Sequence, residues 1–256
     1  MGALDGRVAI VTGAGAGLGE GIARELAAAG ANLAVLEIDE ESGPRSAEQI
    51  AQAHGVEARA YRTDVSKSKD VSDGFDAVMR DFGRLDIAVN NAGISRIGPH
   101  TQDVSDEDWL ESIAVMQTGV FYCMRAAARI MIPQKSGSVV NISSIRGFSP
   151  NPGRMSYCAP KAAVLMMTKV AAGEWAPHGV RCNAIAPGVL RTPMWDRDAA
   201  RGAVDEPRIL ETVPAHRLGL PSEVGKLVVF LSSDDAAYIT GAVHTIDGAL
   251  TAIPAG

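Results

Sequence analysis

Between Ser144 and Lys161 the chain reads SIRGFSPNPGRMSYCAPK, which holds a hydroxyl, a phenol and an ammonium at spacings that can converge on one carbonyl. If Tyr157 opens a helix, Lys161 lies four residues on, on the same face and one turn up. A free phenol titrates near ~10 and is a poor base at neutral pH, but a nearby cation favours the phenolate. Lys161 is then expected to activate and Tyr157 to act as the acid/base. Ser144 follows the apolar run 138–143, so it would leave the carboxyl edge of a strand, where open α/β sheets bind their ligands. There its hydroxyl could hold a substrate oxygen. A Tyr four residues before a Lys is also common by chance, as a helix-start aromatic with a solvated Lys, so the pair has to be weighed with the elements around it.

The element that matters most is at the amino end. Val8–Thr12 is short and apolar, as a central parallel strand covered on both faces should be. Gly13, Gly17 and Gly19 follow at once, and the helix expected from Leu18 to Ala29 would turn its first amides toward an anion. A glycine loop between a strand and a helix is the context that marks a dinucleotide fingerprint. A second strand, 32–38, carries Glu37 at its end, placed to accept hydrogen bonds from both ribose hydroxyls of NAD and to repel a 2′-phosphate. The acids Asp39, Glu40 and Glu41 nearby allow Glu37 to be read as a solvated loop residue instead.

Together, Thr12–Gly19 (TGAGAGLG), Asn90-Asn91-Ala92-Gly93, Ser144, Tyr157 with Lys161, and Pro187-Gly188 with Thr192 resemble the short-chain dehydrogenase/reductase family along the whole chain. The resemblance implies a single-domain α/β Rossmann fold over residues 1–256. Its doubly wound parallel sheet would have seven strands, helices on both faces and a variable substrate lid at about 190–215. It implies Ser144, Tyr157 and Lys161 as catalytic residues. The cofactor would be held by Gly13, Gly17, Leu18, Gly19, Glu37, Asp64, Val65, Asn91, Ala92, Gly93, Tyr157, Lys161, Pro187, Gly188, Val189 and Thr192. In the family the Asp64-Val65 pair meets the adenine; from sequence alone Asp64 reads as the N-cap of the next helix. Residues 91–93 would approach the nicotinamide ribose, and Val189 and Thr192 its carboxamide.

The remaining elements read as helices over 41–53 and 68–82, strands over 56–62 and 87–90, and a long helix from Asp106 that ends before Pro133. Ser156 is expected to cap the helix of Tyr157, with Pro160 in its first turn. A sixth strand follows at 181–187, then a helix over 222–232 and a last strand at 243–248, in which His244 is expected to point into packing. One departure from the family stands out. Met116 occupies the place where relatives carry a fourth catalytic residue, an Asn, and a thioether cannot supply an amide's donors. Gln117 is turned about 100° away on a helix.

At 256 residues, 46% hydrophobic and a formal charge of −6, the chain fits a globular enzyme that binds neither nucleic acid nor anionic membrane. Cys123, Cys158 and Cys182 lack pairing or metal spacing, so reduced thiols, no metal and a cytoplasmic location are expected. The expected reaction is NAD-dependent interconversion of a secondary alcohol and a ketone, by a homotetramer. Two alternatives stay open: a reductase of carrier-bound 3-oxoacyl chains, and a non-catalytic nucleotide-binding member in which Met116 marks a broken proton relay. For substrate contacts, Ser144, Arg154, Met194 and Trp195 are the candidates. Arg154 and Arg191 are either anion-binding residues or surface arginines in polar loops.

Overall fold

Seven strands pair in parallel in the order β3-β2-β1-β4-β5-β6-β7, in a computed structural model that describes residues 2–94, 98–202 and 204–252, with the side chains of Met194 and Asp198 outside that description. The strands are β1 (Val8–Thr12), β2 (Asn32–Glu37), β3 (Ala58–Arg62), β4 (Ile87–Asn90), β5 (Gly137–Ile142), β6 (Val180–Pro187) and β7 (Val243–Ile246). The order reverses direction between β1 and β4. That switch opens a crevice at the carboxyl edge of the sheet.

The two faces of the sheet are sorted by strand alternation. Val8 and Ile10 of β1 face one apolar cluster with Phe75, Cys123, Met131 and Trp175, while Ala9 and Val11 face the other with Ile22, Leu26, Ile50 and Val228. The first cluster lies under α3 (Ser68–Phe82), α5 (Gly119–Gln134) and α6 (Met155–Trp175). The second lies under α1 (Gly17–Ala28), α2 (Ser42–His54) and α9 (Pro221–Ser232). Both faces of β1 are therefore buried, which is why its sequence shows no polar alternation.

The expected long helix from Asp106 is two helices, α4 (Asp106–Ile113) and α5, joined by a π-helical turn, Ala114–Thr118, that contains Met116. The segment expected as a lid contains two short helices, α7 (Pro193–Ala200) and α8 (Glu206–Thr212).

Three helix ends differ from the sequence expectation. Pro133 lies inside α5, which runs on to Gln134. A proline in the last turn sacrifices one hydrogen bond to an already fraying end, so it does not stop the helix there. Ser156 is buried inside α6, whose N-cap is Arg154 without a side-chain cap, so Pro160 falls in the second turn. Asp64 is not the N-cap of α3, a position held by Lys67. Its carboxylate instead accepts the amide and hydroxyl of Ser66, at 3.0 and 2.6 Å.

Candidate active site

At the carboxyl ends of β1 and β4, Thr12 organises the glycine loop. Its hydroxyl oxygen accepts the amides of Asn91 and Ala92, both at 3.0 Å, while the Asn91 side-chain amide donates to the carbonyls of Thr12 and Gly13 at 2.9 and 3.2 Å. The loop is thereby fastened to the residues after β4. Gly19 packs so closely that a Cβ there would lie 2.1 Å from the Gly13 carbonyl oxygen, and Gly17 holds φ at +63°, so each needs glycine for a different reason. Leu18 is packed against the core behind them.

Glu37 turns back from the end of β2 over this loop. Its Oε2 accepts the Gly15 amide at 3.0 Å, and its Oε1 accepts the amides of Ile38 and Asp39 at 2.8 and 3.2 Å. The N-cap of α1, Ala16, supplies no side-chain hydrogen bond, which leaves the first amides of the helix open to an anion. A pyrophosphate beside these amides and a ribose beside Glu37 would meet donors and acceptors in complementary places, so the residues fit a dinucleotide.

The other expected cofactor residues rim the same edge. Val65, almost fully buried, leaves so little room that a Cβ on Gly119 would come within 3.0 Å of it. The backbone around β6 is held by Gly188 N–H donating to Ile246 O at 2.9 Å and by Gly219 N–H donating to Val189 O at 3.0 Å. Pro187 ends β6. Thr192 caps α7, its hydroxyl accepting the Trp195 amide at 3.2 Å, and its Cβ lies 4.0 Å from the space a Cβ on Gly17 would fill. The start of α7 therefore lies against the glycine loop.

Ser144, Tyr157 and Lys161 are brought together by stitches between β5 and α6. Ser143 Oγ donates to Lys161 O at 2.8 Å, and Lys161 Nζ donates to Ile142 O at 2.9 Å. The single turn Ile145–Gly147 that follows Ser144 packs on α6 so tightly that a Cβ on Gly147 would meet Lys161 O at 2.9 Å. Ser144 Oγ accepts the Arg146 amide at 3.1 Å, and the Ser144 hydroxyl acts on the Tyr157 phenol to lower its pKa. Lys161 Nζ stands 5.7 Å from the centre of the Tyr157 ring. Gly93 faces both sides of this arrangement, since a Cβ on it would lie 3.8 Å from Lys161 Nζ and 3.6 Å from Met116 Cγ.

Burial sets the charges here. It raises the Tyr157 phenol above its ordinary value, opposed by the Ser144 hydroxyl and then by the positive charges of Arg154 and Arg146. It pulls the Lys161 ammonium down to about 8. At neutral pH the ammonium still carries a proton, and a cation at this range favours the phenolate.

Not every candidate converges. The Arg154 carbonyl accepts the Tyr157 amide at 3.1 Å, but Arg191 is tied to α7 and α8, where it pairs with Asp196 at 3.1 Å and with Glu206. Trp195 Nε1 donates to the same Glu206 at 3.0 Å, so its indole is tied between α7 and α8. The Met194 side chain lies outside the described residues. Three groups that organise the site were not expected from the sequence: the Thr12 hydroxyl, the Ile142 carbonyl and the Arg146 amide. A small polar residue ending an apolar strand just before glycine is a usable signal for the first. A backbone carbonyl leaves none.

No group of three or more metal-ligating side chains occurs among the described residues, and none of their helices is long and apolar enough to cross a membrane. His244 is partly buried, its Nε2 has no partner among the described residues, and burial lowers its pKa. Cys123 and Cys182 are buried and Cys158 partly so, all as free thiols.

Residues 13–251 match the family model described as enoyl-(acyl carrier protein) reductase. The chain is 39% identical over 257 residues to the oxidoreductase UcpA of Salmonella typhimurium, covering 98% of this chain and 97% of the relative. It is 39% identical over 251 residues to a 3-oxoacyl-[acyl-carrier-protein] reductase of Synechocystis, covering 98% and 99%. A crystal structure from Sinorhizobium meliloti, described as a candidate short-chain alcohol dehydrogenase, superposes with a TM-score of 0.90 at 38% identity, covering 97% of this chain and 98% of that one.

Proposed function

Because the chain belongs to the short-chain dehydrogenase/reductase family of oxidoreductases, we propose that it is an NAD-dependent enzyme interconverting a secondary alcohol and a ketone, with Tyr157 as its acid/base. The observation that carries this reading is that β5 and α6 are stitched together where Ser144 and Lys161 lie, with the Lys161 ammonium 5.7 Å from the Tyr157 ring and 3.8 Å from the place a Cβ on Gly93 would take. In the alcohol-to-ketone direction Tyr157 Oη takes the proton of the substrate hydroxyl, and in the reverse direction it returns that proton. Ser144 donates to the substrate oxygen as its charge develops. Lys161, fixed by Ile142 O, keeps a positive charge near the phenol and near the ribose position at Gly93. When bound, the nicotinamide supplies the hydride acceptor or donor. Glu37, Asp64, Val65, Asn91, Ala92 and the 187–192 segment would hold that cofactor, and Arg154 and the lid would face the substrate. The protein is proposed to work in the cytoplasm as a homotetramer.

Two specific observations keep other readings in play. The similarity to a 3-oxoacyl-[acyl-carrier-protein] reductase favours a carrier-bound substrate, although no cation lies in the glycine loop or at Ile38 to receive a 2′-phosphate. Met116 in place of an amide favours a member that binds nucleotide without turnover.

The deciding experiment mixes the protein with NAD and a panel of secondary alcohols, polyols and hydroxy acids and follows NADH absorbance. Tyr157→Phe, which removes only the titrating oxygen, should fold, bind NADH and lose on the order of 100-fold or more in kcat. Near-native turnover in that variant would place the acid/base elsewhere.

A further inference from the structure

Helix α6 carries Tyr157 and Lys161, and side chains of β5 and the residues after it hold α6 at points about two turns apart. The nearer hold is at Lys161 itself. Its Nζ donates to Ile142 O at 2.9 Å, Ser143 Oγ donates to its carbonyl at 2.8 Å, and a Cβ on Gly147 would meet that carbonyl at 2.9 Å. The farther hold is at Thr168, seven residues on and so on the same face of the helix. Asn141 Nδ2 donates to Thr168 Oγ1 at 2.9 Å, and Thr168 Oγ1 donates to Val164 O at 2.8 Å. Asn90 Nδ2 in turn donates to Asn141 Oδ1 at 2.7 Å, and the next residue, Asn91, holds the carbonyls of Thr12 and Gly13. A polar line thus runs from the glycine loop through β4 and β5 to α6.

Asn90, Asn141 and Thr168 are buried, and Asn141 Nδ2 lies 3.5 Å from Met124 Sδ and 3.6 Å from Cys182 Sγ, both members of an apolar cluster. Apolar side chains of the same shape would serve stability about as well, and Asn90 Oδ1 finds no partner among the described residues, a cost that a purely stabilising core would not carry. What the polar line adds is direction. Apolar contact keeps α6 on the sheet but is non-directional, whereas a hydrogen bond weakens steeply as its atoms shift. The hold at Lys161 then acts as a pivot. At 1.5 Å per residue Thr168 lies ~10 Å beyond it and Tyr157 ~6 Å before it, so a swing of ~1 Å at Thr168 carries Tyr157 ~0.6 Å the other way.

We propose that Asn141 and Thr168 are positioning residues for the chemical step: their hydrogen bond stops α6 from swinging about Lys161 and so fixes where the Tyr157 oxygen stands in the crevice. The proposal rests on the alcohol–ketone chemistry above and adds to it two residues buried away from the reacting atoms. Misplacing a reacting group by a fraction of an ångström slows the chemical step and leaves cofactor binding in place.

The test uses Thr168→Val, which keeps the shape of the side chain and removes its hydrogen bonds, and Thr168→Ser, which restores the hydroxyl. Single-turnover oxidation, with saturating enzyme and NAD in excess over the alcohol of the panel above that reacts fastest, reads the rate constant of hydride transfer from NADH absorbance. With enzyme in excess that constant belongs to the folded molecules alone, so a mere loss of stability leaves it unchanged. It should fall about tenfold in Thr168→Val, with the NADH dissociation constant within about twofold of wild type, and Thr168→Ser should recover most of the loss. A Thr168→Val rate constant equal to wild type, an equal fall in the Val and Ser variants, or a loss confined to NADH binding would overturn the proposal while leaving the reaction standing. If no alcohol reacts, the alcohol–ketone reading falls, and crystal structures of the NADH complexes then decide. Displacement of the amino end of α6 in Thr168→Val, reversed in Thr168→Ser, supports the pivot; superposable helices reject it.

Discussion

Glu37 Oε2 accepts the Gly15 amide at 3.0 Å, so the carboxylate at the end of β2 is drawn over the glycine loop rather than left in solvent. A ribose 2′-hydroxyl can donate to an acid held there, whereas a 2′-phosphate meets a like charge. Arg62, opposite Glu37 in the sheet register, is paired with Glu40 at 2.9 Å.

NAD should accordingly be used in preference to NADP by on the order of 100-fold in kcat/KM. Glu37→Ser removes the repulsion and leaves Arg62 within the neighbouring strand, so it should raise the relative use of NADP. Steady-state kinetics with both cofactors check this, and equal use by the wild-type protein would refute the role of Glu37.

Lys161 should cost the fold stability. Its ammonium is buried and its pKa falls from 10.5 to about 8, so between those values the folded state binds fewer protons than the unfolded state. The destabilisation is fully present below about pH 8 and fades as pH rises toward 10.5. Lys161→Met should therefore be inactive, yet more stable than wild type at pH 7 by about 1–3 kcal/mol, allowing for the donor lost to Ile142 O. Urea unfolding at pH 7 and 10 measures both. A variant less stable at pH 7, or an advantage that grows with pH, would contradict the argument.

Met116 should not abolish catalysis. Its side chain is almost fully buried, and the π-helical turn around it is made by backbone hydrogen bonds that Met supplies as well as Asn. Met116→Asn should change kcat by less than about tenfold and lower stability by roughly 1–3 kcal/mol if the amide finds no partner. Wild-type protein silent on every alcohol and ketone, beside an active Met116→Asn variant, would show instead that the relay is broken.

Ala162, Met166 and Val170 form an exposed stripe at four-residue intervals on α6, with Met166 and Val170 60% and 53% exposed. An apolar helix face of small and flexible side chains suits contact with a second copy. Sedimentation at micromolar concentration should report a tetramer, and Met166→Glu with Val170→Glu should reduce the assembly. A wild-type monomer would rule this out.

Local patterns in the chain were enough to read the sheet, its crevice and the spacing of the candidate trio Ser144, Tyr157 and Lys161. Apolar strands such as Val8–Thr12 and the glycines after them are local signals, and a Tyr–Lys spacing of one helical turn needs only the helix to become a geometry. Glu37 was legible for the same reason, since a strand end fixes where its last side chain goes. Tertiary structure decided what depended on neighbours distant in the chain. The π turn was hidden because one extra residue within an apolar helix barely disturbs its pattern, and the helix starts at Met155 and Ser68 were set by packing rather than by the nearest capping side chain. Arginines were the least legible: Arg191 and Arg154 read alike in sequence, and only the positions of Asp196 and Glu206 neutralise one while the other stands at the N-cap of α6. Charge is a long-range property of the folded surroundings, so the same side chain can be a lid clasp or a ligand contact according to which acids the fold brings to it.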